Sequence, residues 1–286
     1  LEVRASIRRS KLYNSQAVSE RILKAVSARL ALHGRKDAGT EREGPVQCIW
    51  ARLQEDRLTL SLDSSGDPLH NRGINTSGGP APLRETLAAG ALMQAGFDSE
   101  TVLCDPMCGI GTFAIEAAMM VKQLPPGGQR SFAFMDWPAF RTPHWDYLRN
   151  RAAVPESPLP APRIQASDRS RTAVDQLAAF LPASGLADAI DLQQRDFFDI
   201  SAPGTGHRRG LIALNPPYGR RLGQPESTPR LVGEILHKLP RDFRGWRMLM
   251  ILPAQGLLRQ IPFPVEAQAV MHGGRPVWLT IGDVPA

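Results

Sequence analysis

Two polar side chains flanking a pair of prolines are well suited to chemistry in this sequence. Asn215-Pro216-Pro217-Tyr218 follows the apolar run 210–214. Because the prolines can continue neither a strand ladder nor a helix, the chain must leave the run in a rigid, extended turn. The side-chain oxygen of Asn215 and the carbonyl oxygen of Pro216 could accept both hydrogens of an exocyclic base amine, and Tyr218 could stack on a flipped base. Such contacts would raise the electron density on a poorly nucleophilic nitrogen.

A glycine turn lies upstream of this tetrad. Residues 101–104 predict a short strand, and Thr112–Lys122 predicts a helix built from strong helix formers. Between them, Gly109 and Gly111 allow positive φ and a close approach of the backbone to a ligand. A strand that leads through a glycine turn into a helix is typical of the nucleoside-binding corner of an open α/β sheet.

The carboxylate of Asp105, at the end of the first strand, indicates the charge of the ligand. A third glycine at the dinucleotide-binding spacing is missing, and Asp105 would repel a phosphate. A cationic ligand would be tolerated, and S-adenosylmethionine carries both a sulfonium and an ammonium. The alternative is a plain strand–turn–helix corner in which Asp105 only caps the helix.

Polar residues end the following predicted strands as well. Asp168 ends the strand 163–168, and a carboxylate there can accept hydrogen bonds from both hydroxyls of a ribose. Asp196 ends the next strand, and Asn215 the one after it. Each of these residues alone could be a cap or a turn residue, but their joint spacing along a β-α-β-α-β pattern predicts one ligand site at one sheet edge.

Several blocks of the sequence together resemble a known family. The blocks are Leu69–Gly73, Ala81–Ala89, Asp105–Thr112, Phe134–Phe140 and Asn215–Tyr218. The glycine turn and the tetrad resemble the class I S-adenosylmethionine-dependent amino-methyltransferases. The other blocks resemble the THUMP-domain RNA methyltransferases, and the chain is most similar to the bacterial 23S ribosomal RNA guanine-N2 methyltransferase group.

The resemblance implies a set of site residues and a methylation of the exocyclic N2 amine of a guanine in RNA, with ribosomal RNA as the expected partner. The catalytic residues would be Asn215, Pro216, Pro217 and Tyr218. The S-adenosylmethionine-binding residues would be Asp105, Pro106, Cys108, Gly109, Gly111, Thr112, Asp168, Asp196, Phe197 and Asn215. Asp196 and Phe197 match the family positions that meet the adenine, and no metal is implied.

The expected fold is a seven-stranded, Rossmann-like α/β sheet closed by an antiparallel hairpin, preceded by a partial α+β THUMP-like domain. The predicted boundaries are 1–68 for the RNA-binding domain, 69–80 for a linker and 81–286 for the methyltransferase domain. Residues 124–161 predict a long, irregular connection whose aromatic and arginine side chains suit RNA contact or packing. Arg4, Arg8, Arg9 and Lys11 suit phosphate contact or a solvated face.

Composition is consistent with these expectations. The 286 residues are 42% hydrophobic and 22% charged, and a net charge of +6 with a pI near 9.6 favours an acidic partner such as nucleic acid. Cys48, Cys104 and Cys108 form no metal-binding pattern and predict reduced thiols. Without a membrane-length apolar run or a signal peptide, a cytoplasmic protein is expected, with a monomer favoured and no membrane partner. The chain begins at Leu1 in mid-pattern, which predicts a fragment.

Other functions fit the same residues. The tetrad also occurs in enzymes that methylate the N6 amine of adenine or a protein glutamine, and it does not separate guanine from adenine. Transfer RNA is an alternative to ribosomal RNA. A non-enzymatic RNA-binding module with a vestigial cofactor site is the alternative outside catalysis.

Overall fold

The computed structural model describes most of the chain, and the described part divides into two units. The described ranges are 1–32, 46–72, 83–152, 161–204, 210–218 and 227–286. The N-terminal unit contains Leu1–Asn71 and Arg130–Leu148, and the C-terminal unit contains Arg72–Gln129 and Arg149–Ala286. The domain boundaries given above stay a prediction, and most of the predicted linker lies outside the described residues.

Ten strands and six helices make up the regular structure of the described ranges. The strands are β1 (Glu2–Arg8), β2 (Cys48–Gln54), β3 (Arg57–Leu62), β4 (Val102–Asp105), β5 (Ile164–Asp168), β6 (Ile190–Gln194), β7 (Gly210–Leu214), β8 (Arg247–Leu252), β9 (Glu266–His272) and β10 (Arg275–Asp283). The helices are α1 (Ser15–Leu32), α2 (Glu85–Gln94), α3 (Thr112–Val121), α4 (Thr142–Ala152), α5 (Arg171–Ser184) and α6 (Ser227–Asp242).

The N-terminal unit is built on a three-stranded sheet in the order β1-β2-β3, with α1 packed against β1. β1 runs parallel to β2, and β3 returns antiparallel to β2. The return is a two-residue turn in which Glu55 and Asp56 have φ angles of 51° and 61°, as a tight hairpin that follows the strand twist requires. α1 begins after Asn14, whose side-chain oxygen accepts a hydrogen bond of 3.1 Å from the amide of Ala17 and thereby caps the helix.

The second segment of the N-terminal unit is held by polar and aromatic contacts. The Arg130 guanidinium donates hydrogen bonds to the carbonyl oxygens of Ser65, Asp67, Pro68 and Asn71. The rings of Phe132, Phe134, Phe140 and Trp145 lie against one another with centroid distances of 5.3–5.8 Å. The connection over 124–161 is therefore not wholly irregular: it contains α4 and a 3-10 turn, because neighbouring aromatic rings supply a core that the polar helix residues do not reveal.

The C-terminal unit is a seven-stranded sheet in the order β6-β5-β4-β7-β8-β10-β9. β4 to β8 are parallel, and β10 is antiparallel to both of its neighbours. The sheet therefore confirms the predicted α/β, Rossmann-like class with its closing hairpin. The hairpin turns at Gly273 and Gly274, whose φ angles of 58° and 78° suit glycine.

Apolar runs in the central strands explain the layered core. In β7, Leu211 and Ala213 join the hydrophobic cluster on one face of the sheet, and Ile212 and Leu214 join the cluster on the other face. A parallel strand covered on both faces is expected to be apolar along its whole length. β4 is buried on both faces in the same way. Because it is a parallel strand, its carboxyl end, Asp105, lies at the edge where ligands bind in such sheets.

No helix within the described ranges is long and apolar enough to cross a membrane.

Substituting Gly111 tests whether the turn before α3 needs glycine. Its φ of 85° is left-handed, and an added Cβ would lie 2.6 Å from Leu177 Cδ2. Gly111→Ala should therefore lower the free energy of unfolding by about 1–2 kcal/mol. Gly90→Ala is the matched control, because a Cβ added to this helical residue would meet no atom within 4 Å beyond its own helix and chain neighbours. This variant should leave the free energy of unfolding unchanged or raise it by about 0.5–1 kcal/mol. Chemical denaturation that shows equal losses in both variants would contradict this interpretation.

Candidate methyl-donor and base site

The glycine turn starts where β4 ends and is fixed by backbone hydrogen bonds. The amide of Cys108 donates to the carbonyl oxygen of Ser167 at 3.0 Å, and the amide of Gly111 donates to the carbonyl oxygen of Cys108 at 2.8 Å. Gly109 has a φ of 54°, and no atom lies within 4 Å of where its Cβ would be. The backbone at Gly109 is therefore open for a ligand to approach closely.

Asp168, at the end of β5, ties the turn to the neighbouring strand. The amide of Gly109 donates to Asp168 Oδ2 at 2.9 Å, and the amide of Ser170 donates to Oδ1 at 2.8 Å. A carboxylate has about four acceptor positions, so each oxygen keeps one for a further donor such as a ribose hydroxyl. The Asp168 carboxylate can thus hold the turn and a ligand at the same time.

Asp196 and Phe197 follow β6 and begin a short 3-10 turn. Asp196 Oδ1 accepts a hydrogen bond of 3.0 Å from the amide of Phe198, which caps this turn. The ring of Phe197 is buried and lies against Phe243 with a centroid distance of 6.2 Å, and against Phe198 at 5.2 Å. The ring positions are thus fixed by packing before any ligand binds.

Asn215 directly follows β7 and carries a buried polar atom. Its Oδ1 is shielded from solvent and has no hydrogen-bond partner among the described residues. Leaving a buried acceptor unsatisfied costs roughly 1–3 kcal/mol, so such an atom calls for an explanation. An amine donor from a bound ligand would satisfy it.

Asp105 lies beneath the turn rather than in the open site. It is 1% exposed, and its Oδ2 has no hydrogen-bond partner within the described ranges. Burial raises the pKa of this carboxyl to about 8, and the nearby Asp168 carboxylate adds to the rise, while a hydrogen bond from the Ala114 backbone opposes it. Near neutral pH, the group is therefore largely protonated in the folded chain.

These strand ends border a cleft of about 640 Å³ in the C-terminal unit. This volume suits a cofactor-sized ligand. The sequence-predicted residues that line the cleft are Pro106, Gly109, Asp168, Asp196, Phe197, Asn215 and Pro217. The structure thus brings together residues from the ends of four strands, β4, β5, β6 and β7.

The other sequence-predicted residues do not line this cleft. They are Asp105, Cys108, Gly111, Thr112, Pro216 and Tyr218. Asp105, Cys108, Gly111 and Pro216 are buried and shape the two turns, whereas Thr112 and Tyr218 are half-buried. Their assignment to cofactor binding or catalysis stays a prediction.

Helix α6 supplies cleft residues that sequence analysis did not identify. Arg230, Leu231 and Glu234 line the cleft, and the Arg230 guanidinium pairs with the Glu234 carboxylate at 2.9 Å. Their spacing on a predicted helix marks one helical face, but the sequence does not show which face meets the sheet edge. Phe198 also lines the cleft. The sequence could have indicated this residue only through its position next to the predicted Phe197.

A buried ion pair stabilises the first helix after the turn. The Arg72 guanidinium donates two hydrogen bonds of 3.0 Å to the carboxylate of Glu116 on α3, and both side chains are nearly inaccessible to solvent. Burial raises the pKa of Glu116, and the bonds from Arg72 oppose that rise. Removing either partner would leave a buried charge unpaired, which is strongly destabilising.

The profile of the RMKL-like methyltransferase domain family matches residues 72–261. The chain belongs to this family. The match contains the glycine turn, the carboxylates at the strand ends and the Asn-Pro-Pro-Tyr tetrad. The prediction of a methyltransferase domain is therefore confirmed.

Individual relatives agree with the family. Over 258 residues, this chain is 35% identical to a ribosomal RNA large subunit methyltransferase K/L from Marinomonas, an alignment that covers 86% of this chain and 35% of that protein. The chain thus spans about a third of that relative's length. A possible methylase from Clostridium difficile 630 has a similar structure, with a TM-score of 0.82, 26% identity, and coverage of 100% of this chain and 74% of that one.

A second solved structure has the same fold. SMU.472, a methyltransferase determined with S-adenosylhomocysteine, matches with a TM-score of 0.80 over 98% of this chain and 74% of that one, at 24% identity, which establishes the fold alone. The methyltransferase fold and family confirm the predicted cofactor, S-adenosylmethionine. The THUMP-like domain and the guanine target stay predictions.

The titration of Asp105 should appear in the pH dependence of stability. Between its ordinary pKa of 3.8 and its folded pKa of about 8, the folded methyltransferase holds a proton that the unfolded chain has lost. Stability from this group is therefore complete below the lower value and lost as the pH rises through the upper one.

Asp105→Asn removes this titration and keeps an acceptor for the Ala114 amide. Its melting temperature, measured without cofactor, should rise relative to that of the original protein as the pH increases from about 6 to about 9. A difference that stays constant over this range would show that Asp105 does not titrate there.

Proposed function

We propose that this methyltransferase transfers a methyl group from S-adenosylmethionine to the exocyclic N2 amine of a guanine in RNA, with large-subunit ribosomal RNA as the substrate. The observation that carries the proposal is the buried, unsatisfied Oδ1 of Asn215, at the edge of the cleft that contains Asp168 and Asp196. The name of the Marinomonas relative supports ribosomal RNA as the substrate class.

The cleft residues fit the two halves of the methyl donor. The free acceptor positions of the Asp168 carboxylate suit the ribose hydroxyls. Asp196 and the aromatic pair Phe197 and Phe198 suit an adenine, through an accepted amine hydrogen bond and contact with the ring edges. The donor supplies a methyl carbon on a positively charged sulfur, which makes that carbon electrophilic.

Asn215 and Pro216 would prepare the attacking nitrogen. When Asn215 Oδ1 and the Pro216 carbonyl oxygen accept the two amine hydrogens, they raise the electron density on the nitrogen and orient its lone pair toward the methyl carbon. One N–C bond forms as the C–S bond breaks, and the amine then releases one proton to solvent. Positioning and preorganised hydrogen bonds of this kind can lower a barrier by several kcal/mol without a covalent intermediate.

The substrate is tested by incubating the methyltransferase with labelled S-adenosylmethionine and, separately, unmodified ribosomal RNA, transfer RNA and DNA. Digestion and chromatography identify the methylated nucleoside. We expect N2-methylguanosine from ribosomal RNA. N6-methyladenine would keep the fold and the mechanism and replace the substrate, and donor binding without any methylated product would favour a non-enzymatic RNA-binding module.

Asn215→Ala tests the acceptor role. The variant should lose about 100-fold or more in methyl transfer, in line with the loss of one preorganised hydrogen-bonding group, while its affinity for S-adenosylmethionine stays near that of the original protein. Calorimetry of donor binding beside a single-turnover assay separates the two effects. A matching loss of donor affinity would place Asn215 in cofactor binding alone.

Asp196→Ala is the complementary variant. Because Asp196 is expected to meet the adenine of the donor rather than the target guanine, donor affinity should fall about tenfold or more, the value of one hydrogen bond to a charged group. The rate at saturating donor should change far less. A variant that binds the donor normally and loses only turnover would overturn this assignment.

A further inference from the structure

One face of the sheet in the N-terminal unit is exposed, polar and basic. The exposed side chains of this outer face form three rows across the strands: Arg4, Trp50 and Ser61; Ser6, Arg52 and Thr59; Arg8, Gln54 and Arg57. All nine residues are exposed. A fourth row on the same face, Glu2 and Cys48, is half-buried to buried. The opposite face carries the apolar rows, such as Val3, Ile49 and Leu62, so the register assigns the two faces to different tasks.

Trp50 occupies the central strand of the outer face with 47% of its surface exposed. The Arg4 guanidinium lies 5.4 Å from the centre of its ring and also pairs with Glu2. A tryptophan that served only to pack the sheet would bury most of its ring, and the ring of Trp50 does not. An aromatic ring and a guanidinium plane that both face solvent are the groups on which unpaired bases stack.

A hollow of about 370 Å³ opens at the end of the outer face that carries the hairpin turn. It is lined by Arg52, Gln54, Glu55, Arg57 and Thr59. Within the part of the chain that the structure describes, neither Arg52 nor Arg57 pairs with a carboxylate. Two arginines without such a pair, together with amide and hydroxyl donors, suit a phosphate group.

The charge of the outer face points to the same class of ligand. The carboxylates near its four arginines are Glu2, Glu55, Asp56 and Asp63. Among the described residues only Arg4 of these arginines pairs with a carboxylate, that of Glu2, so Arg8, Arg52 and Arg57 keep their charge for a ligand. The face is small, since the seven residues of β2 span roughly 23 Å. Duplex RNA is recognised by the shape of its grooves over a longer span, whereas a single strand needs stacking rings and nearby cations.

We infer that the outer face binds a single-stranded segment of RNA, with Trp50 and Arg4 stacking on a base and Arg52 and Arg57 holding a phosphate. The inference deepens the proposed function and rests on its RNA substrate. It assigns to this sheet a step that precedes chemistry: capture of an unpaired region of the substrate.

The test measures binding of a labelled, mixed-sequence, single-stranded 12-nucleotide RNA by fluorescence anisotropy, with the whole chain and without turnover. Trp50→Ala should weaken binding about tenfold, and Trp50→Phe should recover most of the affinity because it keeps a stacking ring. Arg52→Ala with Arg57→Ala should lower the slope of log K against log salt by about 0.7 for each phosphate contact that is lost.

Arg21→Ala with Lys24→Ala is the matched control. It removes the same charge from exposed residues of α1, the helix that packs against β1, and should leave both the affinity and the salt slope near their original values. Melting temperatures of all variants check that each remains folded.

The outcomes separate this inference from the proposed function. If the original protein does not bind the RNA, prefers a duplex of the same length, or loses as much affinity in the α1 control as in the outer-face variants, the inference is overturned. If the outer-face variants lose RNA binding while the original protein methylates no RNA, the outer face stands and the proposed reaction fails. If they bind and methylate RNA normally, the reaction stands and the outer face has another role.

Discussion

The hydrogen bond between the Gly109 amide and the Asp168 carboxylate is the constraint on which the cleft depends. It joins the ends of β4 and β5, so the glycine turn cannot move without the neighbouring strand. The same carboxylate accepts from the Ser170 amide at the start of α5, and its remaining acceptor positions are thereby fixed in direction. A ligand that meets Asp168 therefore meets a preorganised group, and little conformational freedom is lost when it binds.

Two buried oxygens show where this unit sacrifices stability. Asp105 Oδ2 and Asn215 Oδ1 are shielded from solvent without a partner among the described residues, although the sheet around them is packed on both faces. They differ in consequence. Asp105 lowers its cost by keeping a proton, whereas an amide cannot titrate and keeps its unsatisfied acceptor until a donor arrives. This difference supports a structural task for Asp105 and a ligand-facing task for Asn215.

The α/β architecture could be predicted from the sequence because strands such as β4, β5 and β7 each show a recognisable pattern and lead to a polar residue. The apolar runs of β4 and β7 lead to Asp105 and Asn215, the mixed strand β5 ends in Asp168, and parallel strands bring such ends to one edge. The contribution of α6 was not predictable in the same way, since the face of a helix that meets the cleft is set by packing from distant strands. For Arg230 and Glu234, the spacing of apolar residues predicts the helix but does not show which of its faces meets the cleft. A related limit applies to α4, because its Trp145 packs against Phe132 and Phe134 of the preceding segment, a contact that the spacing of residues within the helix does not show.

The charges of the cleft limit what it can bind unaided. Asp168, Asp196 and Glu234 line it together with Arg169 and Arg230, and the Arg230 guanidinium pairs with the Glu234 carboxylate, so the carboxylates outnumber the cations by one. This small negative excess favours a cationic donor over a phosphate backbone. Affinity for nucleic acid comes largely from phosphate contacts, and a cleft with almost balanced charge offers few of them. The proposed RNA substrate therefore requires basic residues outside the cleft for much of its binding energy. Such an arrangement would leave the cleft to the donor and the target base, and would assign the phosphates of the strand to an arginine-bearing surface.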